Sequence, residues 1–319
     1  MAVSLFVHII ALLPVMISTA CPVNAAGSSG TAQATKQHIH IQKLRVPQPS
    51  VQQDTTIRRL SLQIVASGLN EATSIDITPD NEIYVVEAGG NRILKLDRNG
   101  LRMDSLGRMG FGDYRFDRPL DVEATNGLKI YVTDYNNRRI QVFDRRLQFL
   151  STVDPAEISG HGQAFRPTSI TVNAFGELFV LDEEQVRLLK LDRNGRYVFE
   201  LDLRVQGIRA LPTSLESAGN MLFLPDPVHG IIHLISDSGN YVRFIGGLEP
   251  GSAIGASPGG TIWAVSGSEV HEFDQRGRVL RTFALEMTGN ATSVAAGKEY
   301  LYILISDRIF RSAIPSRTE

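Results

Sequence analysis

The sequence predicts an all-β fold, a six-bladed β-propeller closed by an N-terminal strand, and three observations carry that prediction. A short apolar, β-branched and aromatic run recurs six times, as Ile83-Tyr84-Val85, Ile130-Tyr131-Val132, Leu178-Phe179-Val180, Leu222-Phe223-Leu224, Ile262-Trp263-Ala264 and Leu301-Tyr302-Ile303. The copies stand 47, 48, 44, 40 and 39 residues apart, the length of a four-stranded blade. Between them no helical periodicity is sustained, and Asp-containing turns ending in Gly separate short alternating runs.

Taken in order, the chain opens on a targeting segment. Residues Ala2 to Ala20 carry no Lys, Arg, Asp or Glu, and the apolar core Leu5–Ile17 has signal-peptide length and falls short of a membrane span. Two processing routes fit residues 1–25. Cleavage after Val23-Asn24-Ala25 removes the only cysteine, whereas Ser18-Thr19-Ala20-Cys21 resembles a bacterial lipobox and makes Cys21 a lipidation candidate. Residues 26–56 are rich in Ser, Gln, Thr and Ala and read as a flexible linker, in which His38 and His40 have no ordered partner set.

Leu60–Val65 then alternates like a strand ahead of the first blade. The second repeat shows a whole blade, with strands predicted at Pro119–Ala124, Leu128–Asp134, Arg139–Asp144 and Leu147–Val153. A second marker repeats almost verbatim, ILKLDRNG over 93–100 and LLKLDRNG over 188–195. The sixth repeat offers only Ala291–Ala296, Tyr300–Ile305 and Arg308–Ala313, so it lacks an outer strand that Leu60–Val65 can supply, sealing the ring. The propeller accordingly spans 57–314, with a short tail at 315–319.

Composition bounds the function. A formal net charge of −2 gives no steering toward nucleic acid or anionic lipid, and a single cysteine excludes an intrachain disulfide framework and a cysteine zinc cluster. No phosphate-cradling glycine motif precedes a helix, and no Ser/His/Asp hydrolase signature is present.

The segment Tyr131-Val132-Thr133-Asp134, Asn136-Asn137, Arg139-Ile140-Gln141-Val142-Phe143 resembles the NHL repeat, and the approach loop Gly107–Pro119 is similar to that family's Gly-rich entry. The resemblance is tightest in repeats one to three. It implies a propeller that binds a protein, peptide or glycan through loops at one mouth of its channel, in the bacterial periplasm, cell envelope or outside the cell. Propeller relatives that are enzymes imply the alternative, a secreted lyase or lactone hydrolase with calcium or zinc at the channel mouth. Some NHL propellers bind RNA, but an exported, near-neutral chain is not expected to. The expectation is thus a monomeric binding domain with no catalytic residues, no cofactor, no resident metal, and membrane association only through a lipid anchor.

Candidate residues follow from the turns. A carboxylate and an arginine five residues apart mark three blades, Glu87/Arg92, Asp134/Arg139 and Asp182/Arg187, and read as structural pairs across a turn. Binding candidates are the residues particular to a blade: Tyr114, Tyr135, Asn136, Arg138, Arg166, Glu183, Glu184 and His229. The turns of blades one to four are long and polar and those of five and six short, which predicts a ligand leaning toward the first four. His233 and His271 fall on third strands at the place of Gln141, while His161 sits in a loop, so no three-histidine ligand set is evident.

Overall fold

A computed structural model describes residues 58–153, 165–286 and 289–316. The targeting segment, Cys21, His38, His40 and His161 lie outside them. The described chain contains strands and turns and no helix.

Six sheets each take four consecutive antiparallel places. Blade one comprises β3 (Ala72–Ile77), β4 (Ile83–Glu87), β5 (Arg92–Leu96) and β6 (Arg102–Leu106). Blade two comprises β7 (Pro119–Glu123), β8 (Lys129–Asp134), β9 (Arg139–Asp144) and β10 (Phe149–Val153). Blade three runs through β11 (Pro167–Val172), β12 (Leu178–Asp182), β13 (Arg187–Leu191) and β14 (Tyr197–Asp202). Blade four holds β15 (Glu216–Ala218), β16 (Met221–Asp226), β17 (Ile231–Ser236) and β18 (Tyr241–Ile245). Blade five holds β19 (Ala253–Ala256), β20 (Ile262–Ser266), β21 (Glu269–Phe273) and β22 (Val279–Leu285). Blade six has only β23 (Ser293–Ala296), β24 (Tyr300–Ile305) and β25 (Arg308–Ala313) from the C-terminal end.

The closure differs in detail from the single strand read at Leu60–Val65. That segment divides into β1 (Arg58–Leu60) and β2 (Gln63–Ser67). β2 pairs antiparallel with β25 and completes blade six, while β1 runs parallel to β22 as a fifth strand on blade five. Leu60 explains the split: it is buried to 5% exposure with Trp263, Phe283 and Leu285, so burial holds β1 on blade five before the chain crosses to blade six.

The apolar core is divided into six clusters, one in each gap between neighbouring blades. Between blades one and two, Tyr84, Val86 and Ile93 meet Val122, Ile130 and Phe143, and the gap between blades six and one is filled by Tyr302, Leu304, Ile75 and Val85. The recurring aromatic therefore serves the ring. Its hydroxyl in Tyr84 donates to the carbonyl of Arg145 at 2.9 Å in the next blade's outer turn, and Tyr302 donates to Arg98 at 3.0 Å in the same way. Lys95 and Lys190 make equivalent bonds, to Arg145 at 2.7 Å and to Asp237 at 3.0 Å.

Candidate functional site

Each blade starts at the centre, and its innermost strand lines a cavity of about 480 Å³ bordered by Ser74, Asp76, Asp121, Glu123, Glu216 and Ser293 among others. Register defines a ring of residues along the innermost strands, of which Asp76, Glu123 and Glu216 line the cavity. Opposite the recurring aromatics Tyr84, Tyr131, Phe179, Phe223, Trp263 and Tyr302 stand Asp76, Glu123, Thr171, Glu216, Gly255 and Ala295. One side of the ring is acidic and the other small. Gly255 must be small, because a Cβ there would lie 2.0 Å from the carbonyl oxygen of Val294.

The carboxylates act mainly as clips between blades. Asp121 accepts the hydroxyls of Ser74 and Ser169, each at 2.6 Å, and the amide of Ile170 at 2.9 Å, so it spans blades one to three. Asp76 accepts the Ala124 amide at 2.5 Å, and Glu123 accepts the Val172 amide and the Thr171 hydroxyl, both at 3.2 Å. Glu216 accepts the Ala256 amide at 3.2 Å. Burial pushes all four carboxyls above their ordinary range. For Glu216 the charges of Asp76, Glu123 and Asp121 push in the same direction, and for Asp76 the charge of Glu123 does.

Around the mouth, the turn between second and third strands meets the loop that enters each blade. The three carboxylate–arginine pairs build this junction. Asp134 accepts Arg139 Nε at 2.9 Å and the Asp117 amide at 2.8 Å, and Asp182 accepts Arg187 Nε at 2.8 Å and the Arg166 amide at 2.9 Å. Glu87 pairs with Arg92 and accepts the Asn70 amide at 2.7 Å. Each pair ties a turn to the incoming loop of its own blade. Ser266 occupies the same place in blade five, accepting the Glu249 amide at 2.7 Å. The turns of blades one to four are four residues long and those of five and six two residues long, Gly267-Ser268 and Ser306-Asp307.

Five of the binding candidates come together between blades two and three. The Tyr135 hydroxyl donates to Glu183, which raises the phenol above its ordinary range, and the Arg166 guanidinium lies 5.1 Å over the Tyr135 ring. Glu184 faces Arg166 at 3.4 Å and Arg138 at 3.6 Å. Asn136 stands in the same turn and donates to Asp117 at 2.9 Å. Tyr114 instead leans back on Phe143 and Phe149, with its hydroxyl accepting the Phe149 amide at 3.1 Å. His229 sits apart on blade four, 2.9 Å from Asp226. His233 is buried beside Tyr241, which lowers its imidazole below the ordinary range, and His271 rests on Thr282. Among the described residues no group of three or more His, Cys, Asp or Glu has geometry to hold a metal ion.

Sequence reasoning missed the channel carboxylates. Their signal was the alternation of the first strands: in register with the aromatic, Asp76, Glu123 and Glu216 point to one face. It also passed over Met109 and Phe111, exposed beside the candidate Tyr114 in the loop entering blade two.

The architecture defines the class, a six-bladed β-propeller with a polar central channel. The NHL repeat family model matches residues 116–143, from the end of the entry loop through the third strand of blade two, so blade two carries an NHL repeat. No protein of curated function matches the sequence. Among solved structures, the chain is similar to a streptogramin B lyase at 13% identity and a TM-score of 0.59, covering 80% of this chain and 98% of that one. A gluconolactonase from Xanthomonas campestris is 14% identical with a TM-score of 0.59, covering 80% and 90% respectively. The WD40 repeats of RRP9 are 10% identical with a TM-score of 0.59, covering 81% and 100%. At such identities the likeness establishes the fold alone.

Proposed function

We propose that this chain is an exported or lipid-tethered binding module that engages a protein, peptide or glycan partner at the mouth of its channel, in the bacterial envelope or outside the cell. One observation carries the reading. The channel's carboxylates are engaged in hydrogen bonds between blades, while the mouth presents a prearranged surface in which Tyr135, Arg138, Arg166, Glu183 and Glu184 from two blades hold one another in place. Interfaces favour Tyr and Arg, and side chains already fixed before binding lose less entropy when a partner arrives.

A second reading has its own observation. Four carboxyl groups from three blades share the cavity, and among the described residues Glu216 accepts one hydrogen bond, from the Ala256 amide. A secreted propeller enzyme of the lyase or lactonase kind, the class named for two of the structural neighbours, would need a divalent cation there, although these carboxyls are not arranged as a metal-holding group in this structure.

Elemental analysis of the purified full chain, with thermal unfolding in calcium, zinc and chelator, separates the readings. The binding module gives no stoichiometric ion and a melting temperature indifferent to chelator. One tightly held ion per chain, with a clear drop in melting temperature on chelation, would replace it with the enzyme.

A further inference from the structure

The loop Gly107–Arg118, which enters blade two at the mouth, exposes large apolar side chains on a rigid frame. Phe111 is 73% exposed and Met109 68%. Loops that carry exposed apolar residues are usually mobile and relieve the cost by folding them under. This one is pinned from below. Asn137 Nδ2 donates to the Gly110 carbonyl at 2.9 Å, Arg139 Nη2 to those of Gly112 and Arg115 at 2.7 and 3.1 Å, and Gln141 Nε2 to that of Arg115 at 2.6 Å. The loop also closes on itself, through Gly110 to Phe116 and Phe116 to Arg108 amide–carbonyl bonds of 3.0 Å each, and its far end is held by Asn91, which accepts the Arg118 amide at 2.7 Å.

Beneath the exposed aromatic, the Arg139 guanidinium lies 4.5 Å from the Phe111 ring. Arg139 is itself only 6% exposed and is fixed by Asp134, so the ring stands on an immobile support with its other side in water. The blade-two pair, which from sequence looked purely architectural, thus positions an aromatic for contact.

Charge narrows the partner. Arg108 and Arg118 are exposed, and neither guanidinium has a salt-bridge partner among the described residues. The other charged groups of the loop are Asp113 and Arg115, neither with an ion pair among the described residues, and Asp117, which accepts from Asn136. The loop therefore carries a net charge of +1, with two solvated cations on either side of Phe111 in sequence. A rigid aromatic, a methionine and flanking guanidiniums are the composition of an interface hot spot. Electrostatic adsorption to lipid calls for several more basic residues than this loop supplies.

We infer that the Gly107–Arg118 loop is the principal docking element of the mouth, and that it takes a partner protein segment in which an apolar side chain is flanked by Asp or Glu. Phe111 and Met109 cover the apolar group, and Arg108 and Arg118 meet the carboxylates. The inference rests on the mouth-binding reading and adds to it the element and the chemistry of the partner.

The test is selection of phage-displayed random dodecapeptides on the immobilised full chain, followed by fluorescence anisotropy with a selected peptide. The expected result is enrichment of apolar residues flanked by acidic ones. Affinity should fall about tenfold or more in Phe111→Ala and in Arg108→Glu, and should weaken in high salt. Both positions are exposed, and unchanged melting curves confirm that the variants are folded. Peptides without acidic residues, or peptides indifferent to Phe111→Ala and Arg108→Glu, would overturn this inference; affinity lost in Arg138→Glu or Glu184→Lys would then show that the mouth still binds. Binding to phosphatidylglycerol vesicles that is lost in Phe111→Ala, with no peptide selected, would overturn it in favour of a membrane contact. Failure to select any peptide on either surface, with no vesicle binding, would overturn both this inference and a peptide-binding mouth.

Discussion

Glu216→Gln should make the propeller more stable at neutral pH. Glu216 projects into the channel, accepts one amide at 3.2 Å and faces the charges of Asp76, Glu123 and Asp121. Its ionised form is opposed by burial first and by those three carboxylates second, which raises its folded-state titration well above the unfolded value. Between the two values the folded chain binds more protons than the unfolded one, so stability from this group is full below the unfolded value and is lost as pH rises through the folded one. Gln keeps an oxygen for the Ala256 amide and removes the charge. Exchange of an ill-compensated buried charge for a neutral isostere is worth on the order of 1–3 kcal/mol, which for a chain of this size is about 2–4 °C in melting temperature for each kcal/mol. The assay is urea unfolding of wild type and variant from pH 4 to pH 8. The two curves should nearly coincide at the acid end, where Glu216 is protonated, and separate as pH rises, with the variant ahead. Equal stability at every pH, or a variant less stable at pH 7, would refute the electrostatic account of the channel.

Other consequences follow from named contacts. Asp134→Ala leaves Arg139 buried without its carboxylate, and should cost about 3–5 kcal/mol in urea unfolding while speeding hydrogen exchange across Gly110–Phe116, whose carbonyls Arg139 holds. Val186 closes the blade-three turn at a φ of 53°, a backbone region that costs a β-branched residue about 1–2 kcal/mol. Val186→Asn should therefore raise stability by up to about 1 kcal/mol after some lost packing, read from the melting temperature. Deletion through Leu62 removes β1 and the buried Leu60 and should cost about 1.5–3 kcal/mol while leaving the ring closed. Deletion through Ser67 also removes β2, exposes the β25 edge and should yield a chain that aggregates in size-exclusion chromatography.

How far the sequence led depended on whether a feature repeats. Aromatics such as Tyr84 and Tyr302 recur because every blade must bury the same side chain against its neighbour, so the six blades were legible, and the strand bounds read in blades two and six fall within about two residues of those observed. The closing strand was legible as a strand, but not its division, since alternation over Leu60–Val65 does not reveal that Leu60 is buried on one blade and Ile64 pairs on the next. Tyr135, Arg166, Glu183 and Glu184 were singled out separately because each breaks the repeat, and they meet because adjacent blades bring equivalent turns side by side. The channel carboxylates were not found, because Asp76, Glu123 and Glu216 sit in weakly apolar first strands that look unremarkable until aligned on the aromatics opposite them. Phe111 was hidden for a different reason: whether a loop aromatic is buried or displayed depends on long-range contacts from Asn137, Arg139 and Gln141.

The central claim is that the partner is engaged at the mouth, and site-specific photo-crosslinking tests it most directly. A benzophenone side chain placed at Tyr135 samples the mouth, and one at Phe175, exposed in the turn between the first and second strands of blade three, samples the opposite end of the blades. In cells of the source organism, or with envelope extract added to the purified chain, the account predicts a discrete adduct from position 135 and none from position 175. The reverse pattern would contradict it.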